Sequence, residues 1–127
     1  MADEIGTSAF PPARSEVTVC TDVVDGTVVL SIFGVIDAAT ATEVSTAVDE
    51  AVAEAPPALV IDLTGVTFLA SVGMTILIKA KADVGAGTGF AVVAEGNATR
   101  RPLTLVGLDS ELTLCLTRDE ALRAVQA

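Results

Sequence analysis

Histidine, tryptophan and tyrosine are absent from the sequence, and its four aromatic residues are all phenylalanine. The absence of histidine removes the commonest general base and the commonest metal-binding side chain. Without tryptophan or tyrosine there is little to support base stacking or an aromatic cage for a cationic ligand. The sequence therefore favours neither a histidine-dependent enzyme nor a metal site, and it indicates no cofactor.

Basic residues are scarce: 7 lysines and arginines stand against 17 aspartates and glutamates, for a net charge of −10. Such a field repels nucleic acid and anionic lipid, and it favours a basic protein partner. Acidity also serves simply to keep a chain with 51% hydrophobic residues in solution. We expect no nucleic-acid partner and no membrane partner.

Cysteine is represented only by Cys20 and Cys115, which are far apart and lack the spacing of metal ligands. Each lies in a strand-like run, so we expect two buried free thiols rather than a disulfide. The N-terminus lacks the apolar core of a signal peptide, and no stretch of 18 residues is free of polar interruption. We therefore expect a cytoplasmic protein.

The chain of 127 residues suits one domain with a single core. Residues 1–15 have no periodicity and are expected to form a flexible tail, with the folded domain over 16–127. The patterns along the domain predict an α/β fold in which helices pack on a mixed sheet of four to five strands. The predicted strands are 16–23, 27–34, one from Ala58 to about Asp62, 90–94 and 112–116; the predicted helices are about 38–53, 72–83, one after Asn97 that starts late because of Pro102, and 118–125.

The junction between the central strand and the next helix is the strongest candidate for a functional site. Leu59, Val60 and Ile61 form an apolar run too short for a helix, which is typical of a strand buried on both faces. Ser71 stands where the following helix begins, and we expect it at the N-cap. One hydroxyl would then lie at the positive end of a helix dipole, at the carboxyl edge of the sheet.

This junction resembles the signature of the STAS domain, and most closely that of the bacterial anti-sigma factor antagonists. The resemblance lies in a strand with Asp62-Leu63 followed by Phe68-Leu69-Ala70-Ser71-Val72-Gly73-Met74. The usual family motif is Asp-Ser-Ser-Gly-Leu, so Ser71 matches the phosphoacceptor serine and Gly73 the family glycine. Ala70 replaces the aspartate, and Val72 replaces the second serine.

The resemblance extends to Gly34-Val35-Ile36-Asp37, where the family carries Gly-Glu-(Ile/Leu)-Asp and Val35 replaces the glutamate. Asp37 also suits an N-cap of the helix expected from about Ala38. In the family this aspartate lies close to the phosphoacceptor. The resemblance thus implies a partner-binding surface made of Asp37, Leu69, Ala70, Ser71, Val72, Gly73 and Met74.

The function implied by the resemblance is regulatory and not catalytic. The unphosphorylated domain would bind an anti-sigma factor, a serine kinase of the histidine-kinase-like ATPase type, and so release a sigma factor. The kinase would phosphorylate Ser71 and end the interaction, and a phosphatase would restore it. The nucleotide would belong to the partner.

Several alternatives are weaker on the residues themselves. Ser71 has no histidine to activate it and does not lie in G-x-S-x-G, which argues against a hydrolase. The glycines of 85–89 lie between a helix and a strand, the wrong order for a phosphate cradle. A receiver domain phosphorylated on Asp62 would need an acidic pair after the first strand, where Asp25-Gly26 predicts a hairpin.

Three further alternatives stay open at the level of sequence. Ser71 would serve only as a helix cap if the phosphorylation switch were absent. In the second alternative, the chain is a STAS adaptor subunit of an ABC-type membrane transport assembly. In the third, it is a redox-regulated antagonist in which Cys20 and Cys115 form a disulfide.

Overall fold

A five-stranded sheet forms the centre of the fold in the computed structural model, which describes residues 16–126. The predicted tail of residues 1–15 lies outside the described part of the chain. The elements follow the predicted order and comprise β1 (Val17–Val24), β2 (Thr27–Ile36), α1 (Ala41–Ala53), β3 (Ala58–Leu69), α2 (Ser71–Val84), β4 (Gly89–Val93), α3 (Arg100–Leu105), a 3₁₀ helix (Leu108–Ser110), β5 (Leu114–Cys115) and α4 (Arg118–Gln126). This arrangement confirms the predicted α/β class.

The strands lie in the order β1-β2-β3-β4-β5, with β1 antiparallel to β2 and every other neighbouring pair parallel. The β1–β2 hairpin turns at Asp25 and Gly26, which both have positive φ angles of 50° and 85°. This is the left-handed geometry that a two-residue hairpin requires, so the predicted turn is confirmed. Because β2 to β5 are parallel, their carboxyl ends meet at one edge of the sheet.

The two faces of the sheet are covered unequally. On one face α1, α2 and α3 enclose the larger core with residues such as Val48, Leu77 and Leu103. On the other face α4 buries Ala121 against Val60 and Cys115 in a smaller cluster. Since α4 has only nine residues, it covers only part of that face.

Several boundaries differ from the predicted ones. The central strand β3 continues to Leu69 instead of ending near Asp62, and α1 begins at Ala41 instead of Ala38. The N-cap of α3 is Thr99 and not Asn97, and Pro102 is accommodated in the first turn, where an N–H has no helical partner. The fifth strand is shortened to Leu114 and Cys115.

The two cysteines lie on strands at opposite edges of the sheet. Both thiols are free, but Cys20 is exposed, so the prediction that it is buried is wrong. Burial raises the pKa of the Cys115 thiol above its ordinary value. Four interstrand steps of about 4.8 Å separate β1 from β5, roughly 19 Å in all, whereas a disulfide needs Cα atoms within about 7 Å. An intramolecular Cys20–Cys115 disulfide is therefore incompatible with the fold.

Over residues 16–126, no helix is both long enough and apolar enough to cross a membrane.

Candidate functional site

The start of α2 differs by one residue from the predicted arrangement. Ala70, in extended conformation, occupies the N-cap, and Ser71 is the first helical residue. The N–H groups of Gly73 and Met74 donate to the Ala70 carbonyl at 2.9 and 3.4 Å. No side chain caps this end, so the first N–H groups of the helix remain available at the positive end of its dipole.

The side chain of Ser71 is exposed. None of the hydrogen bonds found within residues 16–126 uses its Oγ atom, although its carbonyl oxygen accepts a bond from Thr75 Oγ1 at 3.2 Å. The Ser71 hydroxyl therefore takes no part in holding the described fold together. It is accessible to another molecule.

Asp37 follows β2 and organises the turn before α1. Its Oδ1 atom accepts hydrogen bonds from the N–H groups of Ala39 and Thr40 at 2.9 and 3.2 Å. The Asp37 N–H in turn donates to Thr40 Oγ1 at 3.0 Å, and that hydroxyl donates to the Val35 carbonyl at 2.8 Å. Thr40 is thus the N-cap of α1, and the expectation that Asp37 caps the helix itself is wrong. The carboxylate holds the preceding turn.

Backbone pairing brings the Asp37 turn and the Ser71 junction together. Ile36 and Leu69, the last residues of β2 and β3, are register partners in the parallel sheet. One residue further on, the Ala70 N–H donates to the Ile36 carbonyl at 2.9 Å. Asp37 and Ser71 therefore lie on adjacent segments at the same edge of the sheet.

Leu69 and Gly73, two of the residues in the predicted partner surface, are buried. Leu69 is only 5% exposed and belongs to the larger core. A Cβ atom on Gly73 would lie 2.5 Å from Leu69 Cδ1 and 2.8 Å from Ile36 Cγ2. Glycine is needed here because α2 packs closely on the strand ends. The structure thus gives both residues a packing role and leaves little of their surface exposed.

Phe68 and Phe33 are exposed aromatic residues that the sequence interpretation missed. Phe68, the last residue but one of β3, is 54% exposed, and Phe33 on β2 is 46% exposed. Phe68 is the register partner of Val35, and the Phe33 ring lies over Gly65. Ala70, Val72 and Met74 are half-buried. We call the group formed by Asp37, Phe68, Ala70, Ser71, Val72 and Met74 the Ser71 surface.

Asp62, a candidate phosphoacceptor in the receiver alternative, is buried and engaged in the middle of β3. Its Oδ1 atom accepts bonds from the Thr64 N–H at 2.9 Å and the Thr64 hydroxyl at 2.5 Å. Its Oδ2 atom lies 3.3 Å from the guanidinium of Arg118 at the start of α4, and Arg118 Nη2 donates to Ser31 Oγ at 2.6 Å. We call Asp62, Thr64, Arg118 and Ser31 the Asp62 cluster. Its contacts attach α4 to the sheet.

Residues 16–126 contain no group of three or more histidine, cysteine, aspartate or glutamate side chains that could hold a metal ion.

Comparisons with known proteins agree with the fold. The family model described as "STAS domain" matches residues 18–121. The anti-sigma-F factor antagonist RsfB of Mycobacterium tuberculosis is 45% identical over 114 residues, which cover 90% of this chain and 93% of that protein. The crystal structure of an anti-sigma factor antagonist from Mycobacterium paratuberculosis is similar with a TM-score of 0.87 and 46% identity, covering 93% of this chain and 100% of that one.

A more distant likeness concerns the fold alone. The Bacillus cell fate determinant SpoIIAA, solved in its phosphorylated form, is 17% identical, with a TM-score of 0.62 over 84% of this chain and 97% of that one.

Proposed function

Because the chain belongs to the STAS domain family, we propose that it is an anti-sigma factor antagonist: a binding protein without catalytic activity that captures an anti-sigma factor and so frees a sigma factor. The relatives at 45% and 46% identity are both antagonists by name, and the match covers nearly their whole length. This supports the antagonist over the transporter-adaptor alternative. A pull-down separates the two, since an antagonist recovers a sigma regulator and an adaptor recovers a transporter ATPase. The proposed role implies a cytoplasmic location.

Phosphorylation of Ser71 is the proposed switch. The observation that carries it is an exposed hydroxyl that is free of hydrogen bonds within residues 16–126 and lies at the first residue of a long helix. A phosphoryl group adds about −1.5 to −2 charge and three acceptor oxygens. The uncapped N–H groups of α2 favour an anion at this position, so the domain should stay folded when the charge appears.

The effect of the phosphate should fall on the partner, because the Ser71 surface is mostly apolar. Phe68, Ala70, Val72 and Met74 lie within three residues of Ser71 along the chain, and a partner that packs on this junction must desolvate whatever residue 71 carries. A penalty of about 3–4 kcal/mol for an unpaired buried charge weakens binding by roughly 200- to 1,000-fold. That range is sufficient for an on/off switch. Ala70 and Val72, where the family has polar residues, make this desolvation more severe.

The proposed partner is a serine kinase of the histidine-kinase-like ATPase type, with a separate phosphatase that removes the phosphate. Asp37 is proposed to contribute to the partner surface by holding the neighbouring turn in place, since its Oδ1 atom is engaged by that turn. Leu69 and Gly73 are proposed to contribute only by shaping the junction.

The switch is tested with Ser71→Ala and Ser71→Glu in the full chain. We expect Ser71→Ala to bind the anti-sigma factor as the wild type does and to accept no phosphate at this helix, whereas Ser71→Glu should bind at least tenfold more weakly because one charge must be desolvated. Calorimetric titration with the anti-sigma factor gives the affinities, and mass mapping after incubation with the kinase and ATP gives the phosphorylated residue.

Thr75→Ala is the matched control, because Thr75 is an exposed hydroxyl one turn further along α2. It should leave phosphorylation at Ser71 intact. Equal affinities for wild type, Ser71→Ala and Ser71→Glu, or phosphate mapped to another residue, would refute the switch.

A further inference from the structure

Among the residues that the structure describes, β1 forms an open edge of the sheet. There it pairs only with β2, in an unbroken antiparallel register over eight residues. Proteins usually protect such edges with bulges, prolines or lysines, and β1 contains none of these. Its one charged residue, Asp22, accepts the N–H of Val23 at 2.9 Å and so protects only the end near the hairpin.

The pairing pattern identifies the backbone groups that face outward. The Val35 N–H donates to the Glu16 carbonyl at 2.9 Å, so Glu16 directs its backbone groups toward β2. Antiparallel pairs alternate, and therefore Val17, Val19 and Thr21 direct their N–H and C=O groups away from β2. Within residues 16–126, no other strand pairs with them. Three alternate residues are thus ready to hydrogen-bond an added strand.

A groove runs beside this edge, between β1 and α1. Two adjoining clefts of about 540 and 120 Å³ share Ala47 and Glu50 and extend along the whole seam. Their floor includes Val17, Val19 and Thr21, and their helical wall carries the carboxylates of Glu43, Glu50 and Glu54. Neither cleft is lined by a lysine or an arginine, so the groove is apolar at its base and acidic along its side.

The spacing of these carboxylates suits a strand. Glu50 and Glu54 are one helical turn apart, about 6 Å along the axis. Alternate residues of a strand that face the same side are about 6.7 Å apart. Since α1 follows β1 in the same direction along the groove, lysines or arginines at every second position of an added strand would meet successive carboxylates.

We propose that the β1 edge and the α1 carboxylates form a docking site for an extended basic segment of a partner protein, which joins the sheet as a sixth strand. Main-chain bonds to Val17, Val19 and Thr21 would hold the segment, and its basic residues would select the site. A second copy of this chain fits poorly, because it would bring the same glutamates and a net charge of −10 to the groove. The site shares no residue with the Ser71 surface, and its main-chain and ionic contacts do not require phosphorylation.

The probe for the test is a peptide of about ten residues that alternates lysine and threonine, with a peptide that alternates glutamate and threonine for comparison. The full chain, labelled with ¹⁵N, is titrated at low ionic strength. We expect the lysine peptide to shift the amide resonances of Val17, Val19 and Thr21 and to bind more weakly as salt is added. It should not displace the anti-sigma factor from the Ser71 surface. The glutamate peptide should not bind.

Two variants separate charge from backbone pairing. Glu50→Gln with Glu54→Gln should weaken the lysine peptide about fivefold, since two exposed ion pairs are lost. Thr21→Pro removes an outward N–H without removing a β1–β2 hydrogen bond, and it should weaken binding about tenfold. Asp109→Asn with Glu111→Gln, exposed carboxylates distant in sequence from the groove, is the matched control and should bind as the wild type does.

Absence of shifts at the three β1 amides, equal binding of the glutamate peptide, or wild-type affinity in the double glutamine variant would overturn the proposal. So would a concentration-dependent dimer that shifts the same amides without peptide, because a second copy would then fill the edge. The glutamine variant changes only exposed side chains, so the test stands even if Thr21→Pro does not fold.

Discussion

Two polar sites on the same stretch of chain, Asp62 in β3 and Ser71 at the start of α2, have opposite surroundings. Asp62 is buried, and both of its carboxylate oxygens are engaged by Thr64 and Arg118. Ser71 is exposed, and its hydroxyl has no hydrogen bond within residues 16–126. A polar group whose bonding capacity is used internally contributes to stability, whereas one left free is available to another molecule.

The comparison also explains why a charged residue is tolerated in the middle of a buried strand. A lone carboxylate at Asp62 would be costly to desolvate, but the Asp62 cluster supplies two donors from Thr64 and a guanidinium from Arg118. The same bonds attach α4 to the sheet. Ser71 stabilises nothing comparable, so its modification can alter binding while leaving the fold intact.

The largest expected effect is on stability at Asp62. We expect Asp62→Ala to lower the free energy of unfolding by about 3 kcal/mol, because it leaves Arg118 and Thr64 without their acceptor. This is the lower end of the range for a broken buried ion pair, since the Arg118 side chain is 38% exposed. Ser71→Ala should change the same quantity by less than about 0.5 kcal/mol. Urea denaturation measures both.

Asp109→Ala serves as the control for the stability measurement, because Asp109 is an exposed aspartate outside the Asp62 cluster. Its free energy of unfolding should differ from that of the wild type as little as that of Ser71→Ala does. If Asp62→Ala and Asp109→Ala had similar unfolding free energies, the structural role assigned to the Asp62 cluster would be wrong.

A smaller effect is expected at Phe68, which should matter for binding and not for folding. Phe68→Ala should weaken the anti-sigma factor about fivefold, since an exposed aromatic next to the junction is a typical interface anchor. Its unfolding free energy should stay within about 0.5 kcal/mol of the wild type, because the ring is 54% exposed. Calorimetric titration and urea denaturation test the two parts.

Val23→Ala is the matched control for Phe68→Ala, because Val23 is 62% exposed at the far end of the β1–β2 hairpin. It should leave the affinity unchanged. Equal losses of affinity for the anti-sigma factor in the two variants would mean that Phe68 is not part of the partner surface.

The smallest effect is expected at Lys79, which is engaged but exposed. Its hydrogen bond to Asp83 at 2.6 Å, and then the charge of Asp49 at 3.7 Å, raise the pKa of Lys79 above its ordinary value. A raised lysine pKa means that the stabilisation is fully present below the ordinary pKa and is lost as the pH rises through the folded one. Lys79→Gln should therefore leave the Tm nearly unchanged at pH 7 and flatten its decline above about pH 10.

Thermal melts of wild type and Lys79→Gln between neutral and alkaline pH check this sign. A Tm difference that grew with rising pH would contradict it. A large loss of Tm in Lys79→Gln at pH 7 would show that the ion pairs of an exposed lysine are sufficient for a structural role without burial.

Much of the fold could be predicted because its signals are local. Asp25-Gly26 specifies the hairpin within two residues, and the order of strands and helices follows from short periodic runs. The position of Ser71 near a helix start was recognisable for the same reason. The exact cap was not, because it depended on how far β3 continued past Asp62, and that in turn depended on the pairing of β3 with Phe33–Ile36 of β2, about 30 residues earlier in the chain.

Exposure was the property least accessible from the sequence. Phe33 and Phe68 lie in apolar runs that suggest burial, yet α4 is too short to cover that end of the sheet. Gly73 and Leu69 match a motif that suggested a surface, yet they fill the contact between α2 and the strand ends. Strand order likewise decided that Cys20 and Cys115 cannot pair.

The sequence by itself determined the α/β class, the hairpin and the presence of a hydroxyl at the start of the second long helix, because turns, caps and periodicity act within a few neighbouring residues. Only the tertiary structure decided which polar groups form hydrogen bonds within the protein and which aromatic residues remain exposed to solvent. Burial and hydrogen-bond partnership are settled by elements distant in sequence, such as α4 packing on β3, and no local pattern records them.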